Sequence, residues 1–171
     1  NDNIATLINN NGFGNVVYLS DTEQSTDTAD LVANRLHGTI EAAEADAGTT
    51  GQFVNVGAGT YEESGITTGQ NGVTIVSVDG ADQTVITSAA DADILDIQYN
   101  NFVVDGFTFN PHADNANADV RVSCGANGVE VLNSTFSGVS DASSHEAIAI
   151  ADNGNDQTTV RNVEVSNYAV G

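Results

Sequence analysis

Residues 104–109 read "VDGFTF", residues 131–136 "VLNSTF" and residues 160–165 "VRNVEV". Laid over one another they align Val104, Val131 and Val160, then Gly106, Asn133 and Asn162, then Phe109, Phe136 and Val165. The steps between them are 27 and 29 residues, a period that signals stacked structural repeats. Gly and Asn share one conformational ability, since both enter the left-handed αL region more readily than other residues. A strand, one αL residue and a second strand make a sharp corner. If each repeat is one turn of a coil, such corners stack, and Asn side chains at successive levels hydrogen-bond along the axis as a ladder. Gly106, Asn133 and Asn162 are therefore expected to form a structural corner ladder, with the flanking apolar residues pointing into a narrow core.

The sequence around these repeats has the same character. From Gln52 onward come short runs such as "FVNV", "VTIVSV", "TVIT", "ILDI", "FVVD", "VRVS", "VEVL" and "AIAI", separated by Gly, Asn and Asp. Strands of this length with a turn signal every few residues indicate an all-β domain. Upstream, "NVVYLS" predicts a leading strand at about 15–19. Leu31, Val32, Leu36, Ile40, Ala43 and Ala47 then form the stripe of an amphipathic helix over 27–47. Gly38 costs that helix about 1 kcal/mol relative to Ala, which leaves a break into two short helices open, and Gly48 supplies a stop. The expected organisation is one folded body of 171 residues: an N-terminal arm with its leading strand over 1–26, a capping-helix region over 27–48, and β coils over 49–171.

"TIEAAEADAGTTGQFVNVGAGTYEE" (39–63) resembles the entry of parallel β-helices of the pectin-lyase-like superfamily, where a short helix covers the first coil and the ladder then begins. "VTIVSVDGADQTVI" (73–86) and "FVVDGFTFN" (102–110) resemble the coil repeats of that group, and the likeness runs over roughly residues 27–167. It implies an all-β, right-handed, single-stranded parallel β-helix (solenoid) with a short N-terminal capping helix. The helix would block one end of the stack from edge-to-edge association. At the other end "VEVSNYAVG" stops soon after a strand without a helix or charged cap. Either the natural chain continues or that face docks on another subunit.

There is no Lys, and Arg35, Arg121 and Arg161 oppose 24 carboxylates, for a formal charge of −21. Such a chain repels nucleic acid and anionic lipid. Apolar content of 40% in alternating runs argues against disorder. The acidic, Lys-free composition resembles proteins of extreme halophiles, particularly haloarchaea and their viruses, and implies a chain that is stable where salt screens its self-repulsion and weakens at low salt. No apolar run approaches a membrane span, and "NDNIATLINN" lacks the basic start of a signal peptide. The chain has no Met, so export by a cleaved leader is neither supported nor excluded. Cys124, alone in "VRVSCG", reads as a small buried residue rather than a reactive thiol.

The resemblance brings candidate chemistry, and most of it is missing. The Arg-x-Lys segment of polygalacturonases cannot exist without Lys, and the Asp-Phe-Ile-Phe-Gly-like strand of pectin methylesterases is not present. Arg121 beside Asp119 could imitate part of a pectate lyase site, although a surface or inter-coil ion pair is the simpler reading. No catalytic residue, metal ligand or cofactor is assigned. Asp114, Asp119, Asp152 and Asp156 lie in oxygen-rich stretches that read as solvated turns or weak surface cation sites. His112 and His145 read as single imidazoles in polar loops. "NST" (133–135) matches a glycosylation acceptor, but an Asn committed to a ladder cannot also present its amide, and the structural role is preferred.

Two functions follow as expectations. One is a structural or adhesive module of a halophilic virion or cell surface, extracellular and in high salt: a decoration, fibre or spike component assembling through the uncapped last coil as a homo-oligomer, a trimer by resemblance to viral fibres, or with other structural subunits. The other is a polysaccharide-binding or polysaccharide-degrading module whose partner is a cell-surface glycan, with Tyr61, Tyr99 and Tyr168 as stacking rings.

Overall fold

The computed structural model describes residues 17–20, 36–47, 52–88, 90–111, 117–138, 145–151 and 157–168, with 17–20 and 36 described by backbone alone. Strands β1 (Val17–Ser20) and β2 (Leu36–His37) and helix α1 (Ile40–Asp46) come first. The chain then winds through successive coils of three strands. The first is β3 (Phe53–Val56), β4 (Gly59–Glu62) and β5 (Ile66–Thr67), and the second is β6 (Thr74–Ser77), β7 (Thr84–Thr87) and β8 (Leu95–Ile97). Next come β9 (Val103–Asp105), β10 (Thr108–Asn110) and β11 (Ala118–Val122), then β12 (Val129–Leu132), β13 (Thr135–Ser137) and β14 (Glu146–Ile150). β15 (Thr158–Arg161) and β16 (Glu164–Ser166) open a further coil.

Equivalent strands stack into three sheets, in the orders β15-β12-β9-β6-β3-β1-β2, β16-β13-β10-β7-β4 and β14-β11-β8-β5. Every pairing from β3 onward is parallel, so the fold is the β-solenoid that the repeats imply. Only β1 breaks the pattern, running antiparallel to β3 and β2 at the edge of the first sheet.

Period-2 alternation puts one face of each strand inside, as the alternating burial of β6 and β7 shows. Parallel register then lines like residues into columns. On the first sheet the column is Val54, Ile75, Val104, Val131 and Val160. On the second it is Tyr61, Ile86, Phe109, Phe136 and Val165, with Phe109 and Phe136 stacked at 4.9 Å and 11°. The third carries Ile66, Leu95, Val120 and Ile148. Each fully buried aliphatic or aromatic side chain contributes about 1.5–3 kcal/mol relative to exposure, so the columns hold the stack together.

Helix α1 and its C-cap close the first coil by inserting Ile40, Ala43 and the capping Ala47, all fully buried. Its start is fixed twice. Thr39 accepts the Ala42 N–H through its side chain, and the carboxylate of Glu63 accepts the Ile40 and Glu41 N–H groups at 2.8 and 2.9 Å. The helix is shorter than the apolar stripe predicts. Leu36, a member of that stripe, lies in β2 paired with Tyr18, because Gly38 and the Thr39 cap stop the helix from extending backward. Leu31, Val32 and Gly48 lie outside the described residues. Cys124 is also corrected: it is exposed, because the chain leaves β11 at Ser123 and turns, with the Ala126 N–H donating to the Ser123 carbonyl.

Candidate functional site

The corner between the first and second sheets holds the residues singled out by the repeats. Gly106, Asn133 and Asn162 have φ of 84°, 47° and 53°, all left-handed. Asn162 Nδ2 donates to Asn133 Oδ1 at 3.0 Å, and Asn133 Nδ2 donates to Asp105 Oδ1 at 2.7 Å. Both ends of the Asn133 amide thus take part in the ladder. A second ladder, at the corner leading from the third sheet back to the first, was not anticipated. The backbone N–H groups of Asn100, Asn127 and Gln157 donate to the side-chain oxygens of Asn71, Asn100 and Asn127 respectively, at 2.8, 2.8 and 3.2 Å. A left-handed residue follows each of these Asn residues: Gly72, Asn101 and Gly128. The signal was present as "NGV" (71–73), "NNF" (100–102) and "NGV" (127–129).

The acidic residues considered for chemistry separate sharply. Arg121 does not pair with Asp119, two positions earlier in β11. It reaches down one coil to Asp93, with Nε and a terminal nitrogen at 2.6 and 3.1 Å from the two carboxylate oxygens. That hydrogen bond is the main cause holding the guanidinium pKa above its ordinary value. Asp93 also accepts the Ala118 N–H, so the pair ties β11 to the coil below.

Asp119 is not a loop ligand. It sits within β11 and is fully buried. His145 Nε2 lies 2.9 Å from Asp119 Oδ1, and the Tyr168 hydroxyl donates to Asp119 Oδ2. The His145 and Tyr168 rings are 4.9 Å apart. These residues lie on three successive coils, which is why no local motif announced them. Burial, the largest cause, raises the Asp119 pKa to about 6 against the lowering effect of its two partners. Burial likewise raises Tyr168, and the neighbouring Asp119 charge adds to it. A carboxyl group enclosed in this way can hold a proton and bind coils together.

Of the expected stacking rings, Tyr61 is buried with its hydroxyl donating to the Gly57 carbonyl at 2.9 Å, and burial, then Glu63 and Asp79, push it up to about 12. Tyr168 is committed to Asp119, and Tyr99 is exposed. Asp114, Asp152, Asp156 and His112 lie outside the described residues. Among the described residues no three His, Cys, Asp or Glu side chains gather to hold a metal ion, and no helix is long and apolar enough to cross a membrane.

The last coil is the remaining feature. Val160 and Val165 are 44% and 53% exposed, whereas Val131 and Phe136, one level below in the same columns, are fully buried. Ile150 is 47% exposed above a buried Val122. β15, β16 and β14 are the end members of their sheets. No family model, curated protein or solved structure matches the chain.

Proposed function

We propose that this chain is a structural or adhesive module of a halophilic virion or cell surface, a decoration, fibre or spike element that assembles end-on through its last coil. The observation that carries this reading is the exposure of Val160, Val165 and Ile150 at column positions sealed everywhere below them. Sheet edges with apolar side chains at their margin are templates for further pairing. The occupant is a second copy of this chain. The opposite end is covered by α1 and β1, so copies meet last coil to last coil across a two-fold axis. The halophilic setting is supported by a charge of −21 without Lys, since two such bodies approach only where salt screens them. The pectin-lyase-like affinity rests on the helix-then-ladder entry at 39–63.

The alternative, a polysaccharide-binding or polysaccharide-degrading module, is favoured by Tyr99, the one exposed aromatic ring among the described residues. Light scattering with size exclusion in about 2 M salt distinguishes the readings. A dimer that becomes a monomer in Val160→Asp/Val165→Asp, with unchanged far-ultraviolet dichroism, supports end-on assembly. A wild-type monomer, or an oligomer indifferent to the double substitution, overturns it. Glycan binding lost in Tyr99→Ala would support the alternative.

A further inference from the structure

Three consecutive coils each contribute one polar side chain to a site where Asp119 and His145 are buried and Tyr168 is half-buried. Asp119 comes from β11, His145 immediately precedes β14, and Tyr168 follows β16. Both Asp119 oxygens are engaged, one by His145 and one by Tyr168. The site is shaped for the Tyr168 ring: a Cβ placed on Gly138 would come within 2.7 Å of it. The second ring nitrogen of His145, Nδ1, is buried and has no hydrogen-bond partner. The two ends of this link, Asp119 and Tyr168, are 49 residues apart in sequence.

We propose that Asp119, His145 and Tyr168 form a proton-operated latch that fastens the last coil to the two coils beneath it, closed while Asp119 keeps its proton and loosened when the proton is lost. With the proton in place the buried carboxyl is neutral. Without it, a fully buried negative charge is left against two hydrogen-bond partners, which is costly in a low-dielectric setting. The relief is for Tyr168 to swing away and admit solvent. His145, in contact with the carboxylate, counters that charge, but burial outweighs it. The charged groups on the flanking strands are Asp96 of β8, Glu146 of β14 and Glu164 of β16, while Arg121 is already bonded to Asp93.

Burial holds Asp119 at about 6, above its ordinary 3.8. A carboxyl raised in this way favours the closed form below about pH 4, and the advantage is lost as pH rises through about 6. The inference concerns how the last coil is held and stands apart from what covers it.

Hydrogen exchange of the β15–β16 segment tests it, in the intact chain at about 2 M salt and at about pH 4.5 and about pH 7, corrected for the intrinsic exchange rate. Wild type is expected to lose protection at β16 by about tenfold or more at the higher pH. Asp119→Asn still accepts from Tyr168 and cannot titrate, so its β16 protection should change with pH by clearly less than that of wild type. Tyr168→Phe, which keeps the ring, should show low protection at both. General relief of charge repulsion at low pH affects wild type and Asp119→Asn alike, so the difference between them is the readout. A pH response of equal size in the two, or full protection in Tyr168→Phe, overturns the latch.

Discussion

Replacing Asn133 tests the corner on which the stacking depends. Its φ is 47°, and its amide donates to Asp105 Oδ1 at 2.7 Å while accepting from Asn162 Nδ2 at 3.0 Å. Asn133→Ala removes both partly solvated bonds, at about 0.5–1 kcal/mol each. It also leaves a Cβ-bearing residue in the left-handed region, which costs about 1 kcal/mol more. The expected loss is therefore about 2–3 kcal/mol, or a melting temperature lower by about 5–10 °C for a chain of this size. Asn133→Gly loses the same bonds but adopts the backbone without strain, so it should be about 1 kcal/mol more stable than the Ala variant. The order Asn, Gly, Ala inverts the usual penalty of Gly within regular structure. Urea unfolding at constant high salt, followed by far-ultraviolet dichroism, gives the three values. An Ala variant as stable as the Gly variant would refute the claim that left-handed backbone is what position 133 requires.

Glu63→Ala should free two N–H groups at the start of α1 and lower stability by about 1–2 kcal/mol; increased proteolysis between α1 and β3, relative to the later coils, would locate the loss. Phe136→Ala, which empties a fully buried site stacked on Phe109, should cost about 3–5 kcal/mol in denaturant unfolding. A cost below about 1 kcal/mol would mean that the second-sheet column does not bear on stability.

The sequence showed the stack where chemistry repeats at a fixed step. Val104, Val131 and Val160 align by eye because each must point into the same column, and the same holds for Phe109, Phe136 and Val165. The columns continue upstream through Ile75 and Val54, but the step from Val54 to Ile75 shortens to 21 residues. Register in a solenoid is set by pairing across coils and not by the length of chain between them, so a search for constant spacing stops there. The extent of α1 was hidden for a different reason. Leu36 satisfies a helical stripe and a two-residue strand equally well, and only the presence of β1 as a partner decides between them. The Asp119, His145 and Tyr168 cluster had no local trace at all. Its members share a position around the coil, and the connections that separate them differ in length.

The corner from the first sheet to the second is two residues long at 57–58, 106–107, 133–134 and 162–163, with only the second coil expanding there, to 78–83. The passage from the second sheet to the third is longer in every complete coil after the first, at 88–94, 111–117 and 138–145. From the first coil to the later ones this passage lengthens from three residues to seven or eight, while the strands on either side keep their register. Since adjacent levels sit about 4.8 Å apart, grafts placed in those connections would be presented as rungs on a ruler, and their mutual distance could be chosen by choosing the level.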